Sequence, residues 1–184
     1  MGLPRHCRIE ERFNVGETRM TVIVGLLCKG GLVVASDSQE SDDEVGMKRL
    51  DVTKVYDTEK FEFTDVEMIL AGTGSSAHIS RAVEIISDKG YAPHFTIPRH
   101  VADVVEDSLG EMRDRYGEAL GEDLELMVGV YCKNCPAGDE DEEHEPLALY
   151  NIYAPGEEQT EKVGVAERVE DYSAMGSGGL FGGR

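Results

Sequence analysis

The sequence predicts an α+β fold of stacked layers, because its strand-like and helix-like patterns come in blocks. Apolar β-branched runs begin at Thr21, two segments of helical period occupy the middle, and further strand-like runs follow. At 184 residues there is room for one domain with a core of its own. Hydrophobic residues make up 40% of the chain, enough for a folded protein, and no internal repeat is visible.

Residues 1–20 are polar, charged and aperiodic, and read as an extension or propeptide ahead of a domain over 21–184. The run Thr21-Val-Ile-Val-Gly-Leu-Leu-Cys28 is β-branched and apolar, Lys29-Gly30-Gly31 turns the chain, and Leu32-Val-Val-Ala-Ser36 returns it. Neither strand alternates with polar residues, which predicts a hairpin buried on both faces. Residues 38–50 are polar and read as a loop. Short strands are expected at Val52–Tyr56 and Val66–Ala71, the second ending in Gly72-Thr-Gly74.

Ser75 and Ser76 suit the N-cap of a helix carrying Ile79, Ala82, Val83 and Ile86 on one face. A longer helix follows Pro98, with Val101, Val104, Val105, Ser108, Met112 and Tyr116 spaced three or four apart. Strands are then expected at Leu124–Cys132, Leu147–Tyr153 and near Val169–Ala174, the last leading into Gly176-Ser-Gly-Gly179. The charge run Asp139-Glu-Asp-Glu-Glu143 reads as a solvated hairpin loop.

The net charge of −19 comes from 37 acidic against 18 basic side chains. Such a surface repels phosphate backbones and anionic lipid, which argues against nucleic acid or membrane as partners. It suits a protein kept in high salt, so a halophilic host is expected, with an ordinary acidic cytosolic protein as the alternative. No run of about 18 apolar residues is present to span a bilayer. The first residues carry Arg5, Arg8, Glu10, Glu11, Arg12 and Glu17 and no apolar stretch, unlike a secretory signal. A cytoplasmic location is the expectation. Cys132 and Cys135 form a single C-x-x-C, but zinc wants a second ligand pair and neither Cys28 nor His144 is spaced as one. No metal and no cofactor are expected, and the two cysteines read as an incidental pair at a hairpin end.

A threonine hydroxyl is a weak nucleophile without a base beside it. The α-amine of an N-terminal threonine can be that base, since its ordinary pKa of about 7.7–8.0 leaves it partly neutral near pH 7. Such a site needs a rigid strand behind the threonine, an ammonium near the hydroxyl, and a carboxylate to hold the ammonium. Thr21-Val-Ile-Val-Gly25 followed by Leu32-Val-Val-Ala-Ser-Asp37 resembles the amino-terminal hairpin of proteasome β-subunits and of the bacterial peptidase HslV. Thr53-Lys54-Val55 resembles the lysine on the third strand of that family, displaced by one residue. Leu70-Ala71-Gly72-Thr73-Gly74 resembles its oxyanion-hole strand end, and Gly176-Ser177-Gly178-Gly179 its serine-bearing turn.

The resemblance covers residues 20–179 and implies the N-terminal nucleophile (Ntn) hydrolase fold, a four-layer αββα sandwich, here lacking its C-terminal part. It implies a threonine endopeptidase subunit of a self-compartmentalising ring, with homo- or hetero-oligomeric neighbours, peptide substrates and an ATP-dependent unfoldase as partner. Residue by residue, it implies Thr21 as nucleophile and base, Lys54 as electrostatic activator, and Asp37 as the group orienting Lys54. Gly72 N–H becomes the oxyanion donor, Ser177 a member of the network around the amine, and Leu70 the wall of an apolar P1 pocket.

Two departures matter. Met20 precedes Thr21, where self-cleaving propeptides of the family end in glycine, so Thr21 is exposed only if Met20 acts as initiator and is removed. With the first 20 residues retained, the amine is locked in an amide. Beyond Gly179 the chain supplies no counterpart of the family's further helices and assisting aspartate, which leaves one apolar sheet face open and predicts association. The competing readings are a catalytically silent assembly subunit of the same fold, and an Ntn amidase or transpeptidase acting on a small amide or peptide acceptor. Proteasome α-subunits fit less well, because their Tyr-Asp and Ser-Pro-Asp-Gly-Arg segments are absent.

Overall fold

A computed structural model describes residues 21–38, 40–42, 47–49, 52–61, 65–89, 97–120, 124–135, 145–154 and 165–176. Its strands are β1 (Ile23–Cys28), β2 (Gly31–Ser36), β3 (Glu40–Asp42), β4 (Met47–Arg49), β5 (Val55–Tyr56), β6 (Val66–Thr73), β7 (Glu125–Cys132), β8 (Leu147–Tyr153), β9 (Val165–Val169) and β10 (Tyr172–Met175). The helices are α1 (Thr58–Phe61), α2 (Ser76–Lys89) and α3 (Pro98–Tyr116), with a 3-10 turn over Gly117–Leu120. The fold is α+β, with two main antiparallel sheets ordered β10-β1-β2 and β5-β6-β7-β8-β9.

The larger sheet divides its side chains by parity. Val66, Met68, Leu70, Leu126, Val128, Val130, Ala148, Tyr150 and Ile152 face α2 and α3 in one core. Ala71, Met127, Leu149 and Val169 face the smaller sheet and pack with Ile23 and Met175 in another. Among the described residues this makes three layers: helices, larger sheet, smaller sheet. The expected four-layer sandwich is not reached among them.

Both long helices form where their periodicity placed them. Ile79, Ala82, Val83 and Ile86 are buried on α2, and Ile79 N–H donates to Ser75 O, which makes Ser75 the residue that receives the first helical bond. Pro98 opens α3, where its missing N–H costs nothing. Leu109 and Gly110 are buried too, widening the stripe beyond the residues read from the sequence.

Several expectations change. The stretch expected to be a loop contains the β3–β4 hairpin, with Glu40 opposite Arg49 and Asp42 opposite Met47. The single strand expected near Val169–Ala174 is two strands, β9 and β10, which separate into different sheets around Asp171. The β1–β2 hairpin is not buried on both faces. Ile23 is fully buried, but Leu26, Val33 and Tyr172 are 43%, 55% and 60% exposed on the outer face. An unbroken apolar run shows that both faces tolerate burial; it does not supply a layer for each. The acidic run 139–143 lies outside the described residues.

Candidate active site

Thr21 stands ahead of β1 and Asp37 follows β2, so the antiparallel ladder sets them at one end of the smaller sheet. Asp37 N–H donates to Val22 O at 3.1 Å, and Val22 N–H donates to Asp37 Oδ1 at 3.0 Å, which fixes the carboxylate against the first strand. Lys54 comes from the other sheet, one residue ahead of its edge strand β5. Its Nζ donates to Thr21 Oγ1 at 3.1 Å and to Asp37 Oδ1 at 3.1 Å. The lysine side chain is 5% exposed and the aspartate 32%.

This arrangement has a direct electrostatic meaning. An ammonium withdrawn from water is tolerated when it is paired and hydrogen-bonded. Placed at hydrogen-bond distance from a hydroxyl oxygen, it stabilises negative charge developing there, more strongly than it would in bulk water. Asp37 has two donors to satisfy, the Val22 amide and the Lys54 ammonium, and so aims the cation at Thr21. The resemblance implies Thr21, Asp37 and Lys54, and the fold brings the Lys54 side chain within hydrogen-bond distance of the other two.

The glycine of the strand end is a different matter. Gly72 N–H donates to Lys54 O at 3.2 Å, joining β6 to the segment carrying the lysine. That amide is spent on the backbone and does not face an oxyanion at Thr21. A Cβ at Gly72 would meet Ile79 and Leu126, so this glycine serves the packing of α2 on the sheet. Gly74, two residues on, has φ of 100° and immediately precedes α2. No partner for its N–H is present among the described residues.

Leu70 is fully buried beneath the helices, facing away from the smaller sheet and from Thr21. Its parity with Val66 and Met68 decides this. Ser177 lies outside the described residues, but Gly176 does not. With φ of 81°, Gly176 packs so closely on the Thr21 carbonyl that a Cβ there would overlap it. Thr73, also buried, lies beside the same spot. A separate cavity of about 660 Å³ opens at the other end of the sandwich, lined by residues such as Lys29, Leu32, Ile69 and Tyr131, and shares none of the Thr21 group.

The cysteines make no metal centre among the described residues. Cys132 is buried in the helix-facing core, and burial pushes its thiol up to about 11, against thiolate formation. No helix of the described residues is long and apolar enough to cross a membrane.

Two antiparallel sheets lie face to face, helices cover one of them, and a Thr–Lys–Asp group spans one end. Solved structures with this fold include an Anbu Gly-1 mutant from Hyphomicrobium sp. strain MC1, at TM-score 0.64 and 18% identity, over 86% of this chain and 61% of that one. Anbu from Yersinia bercovieri, described as an ancestral beta-subunit, matches at TM-score 0.63 and 16% identity, over 85% and 60%. The helical assembly of the Anbu complex from Pseudomonas aeruginosa matches at 0.59 and 18%, over 85% and 61%. At these identities the likeness establishes the fold alone. This chain spans about 60% of the length of those proteins. No family model and no curated protein matches the chain.

These neighbours correct the resemblance drawn from the motifs: they are Anbu proteins, distinct from the proteasome β-subunits and HslV peptidase that the motifs suggested. The motifs lie on the hairpin and strand ends that build the architecture, so they report the framework and do not single out a member of it.

Proposed function

We propose that this chain is a subunit of a self-assembling complex of the Anbu kind, carrying a latent amide-hydrolysing site at Thr21. The observation that carries the proposal is Lys54 Nζ at 3.1 Å from both Thr21 Oγ1 and Asp37 Oδ1. A lysine present only to pair with Asp37 has no need of a threonine hydroxyl at the same distance.

While the Thr21 nitrogen is joined to Met20 its amine is locked in an amide, and the subunit is in a silent, assembly-only form. With the preceding residues removed, the freed amine takes the hydroxyl proton while Oγ attacks a peptide carbonyl. Lys54 stabilises the developing charge on Oγ. The carbonyl oxygen becomes an oxyanion, for which the Gly74 N–H is the donor in place of Gly72. The ammonium proton passes to the leaving amine, the C–N bond breaks, and water releases the acyl group from Thr21 by the reverse sequence. Peptides are the substrate class; a small amide or an acceptor peptide replaces them if the site acts as an amidase or transpeptidase. Ring neighbours, an ATP-dependent unfoldase and a cytoplasmic setting belong to this proposal.

The test compares the full chain with a chain that begins at Thr21, using fluorogenic peptides in high salt. Hydrolysis is expected only from the shortened chain, and Thr21→Ala or Lys54→Ala lowers it roughly 100-fold or more. Hydrolysis that survives Thr21→Ala removes the threonine from the chemistry. No hydrolysis by either chain, with assembly intact, leaves the silent subunit.

A further inference from the structure

The Thr21 site is built across two sheets, and its geometry therefore depends on how those sheets are offset. Thr21 and Asp37 sit at strand ends of the smaller sheet. Lys54 is held to the larger sheet through Gly72 N–H. Most of the described layer between the sheets is apolar, with Ile23, Ala71, Met127, Leu149, Val169 and Met175, and such contacts are non-directional. Away from the Lys54 contacts, among the described residues, Asn151 Nδ2 of β8 reaches across this layer and donates to Ser173 Oγ of β10 at 2.7 Å.

We propose that Asn151 and Ser173 are positioning residues that lock the offset of the two sheets and thereby hold Lys54 against Thr21. The pin stands at the point of closest approach. Ser173 is the cross-strand partner of Gly25. A side chain at Gly25 would overlap Met127 and Leu149, so the smaller sheet lies directly on the larger one there. The same face of β8 carries Leu149 under Gly25 and Asn151 under Ser173. Two residues beyond Ser173, Met175 is buried between the sheets, and Gly176 then abuts the Thr21 carbonyl. A slide of β10 along β8 is transmitted to Thr21 through this short run.

Asn151 is 8% exposed, and its Oδ1 has no hydrogen-bond partner among the described residues. A half-satisfied amide is a poor way to add stability, because a buried acceptor without a donor costs free energy. It is a good way to specify one register among several that apolar packing would accept. The inference deepens the reading of the Thr21 site, but its primary test needs no catalysis.

That test is the acetylation rate of Lys54 in the full chain, read by mass spectrometry for wild type, Asn151→Leu and Ser173→Ala. Both variants are expected to fold, Asn151→Leu with a melting temperature near wild type and Ser173→Ala with a somewhat lower one, because it leaves the buried Asn151 amide unpaired. Lys54 is protected in wild type by burial and pairing, and becomes about tenfold more reactive in each variant as the local contact opens more often. Ser173→Thr keeps the hydroxyl and restores protection. Leu109→Ala, a truncation under the helices, serves as a control for general loosening and leaves Lys54 protected. Folded variants with Lys54 as protected as in wild type overturn the proposal, as does equal release in the Leu109→Ala control. In the chain beginning at Thr21, the same variants lower kcat about 100-fold with KM little changed. Absence of turnover in wild type refutes the catalytic reading alone and leaves the lysine result to judge the pin.

Discussion

The two faces of the larger sheet do different work. The helix-facing side carries the bulk of the buried apolar residues, contributed by every strand of that sheet's centre and by both long helices. The inter-sheet side is thin among the described residues, with six buried apolar residues, close glycine contacts and the Asn151–Ser173 bond, yet it sets Lys54 against Thr21. Stability is thus concentrated on one face and site geometry on the other. Substitutions on the two faces should separate folding from chemistry.

The largest separation is expected at Gly176. Gly176→Ala puts a methyl group onto the Thr21 carbonyl at a backbone angle that L-residues avoid. Displacing the nucleophile by about 1 Å should cost roughly 100-fold in kcat in the chain beginning at Thr21. The melting temperature should change little by comparison, and near-normal turnover would show that the smaller sheet can yield without disturbing the site.

The converse change lies under the helices. Leu109 is fully buried on α3, and Leu109→Ala should cost about 2–5 kcal/mol in urea unfolding. Lys54 protection and the rate per folded molecule should stay at wild-type values. A fall in rate that tracks the stability loss would mean that the two faces are not separable.

The smallest effect concerns pH. Burial holds the Cys132 thiol at about 11, above its ordinary value of 9.0, so in this range the folded state binds the proton that the unfolded state releases. Its contribution to stability is fully present below pH 9 and is lost as pH rises toward 11. Cys132→Ala should flatten that alkaline decline in a melting series, and an unchanged slope would assign the decline to other groups. Exposed Cys28 should react with thiol reagents in the folded protein, well ahead of Cys132.

Local pattern made much of this legible in the sequence. The hairpin turn, the two helical stripes and the strand cores follow from periods of two and of three to four, while Thr21, Asp37 and Lys54 are singled out by the family resemblance of their motifs. What stayed hidden depends on pairings between distant residues. Gly72 looks like an oxyanion donor until the Lys54 carbonyl is seen to occupy its N–H. Leu70 looks like a pocket wall until the phase of β6 turns it under the helices. The division of β9 from β10 between sheets, and the meeting of Asn151 with Ser173, depend on topology that no short window records. Motifs on a shared framework likewise pointed to proteasome β-subunits and HslV, where the matching folds are Anbu proteins.

The most direct test of the central claim is to trap the acyl group. A chain beginning at Thr21 is incubated with an activated peptide ester, and the site of acylation is read by peptide mapping. The account predicts an adduct on Thr21 that disappears in Lys54→Ala. An adduct on another residue, or one on Thr21 that forms equally well without Lys54, would contradict it.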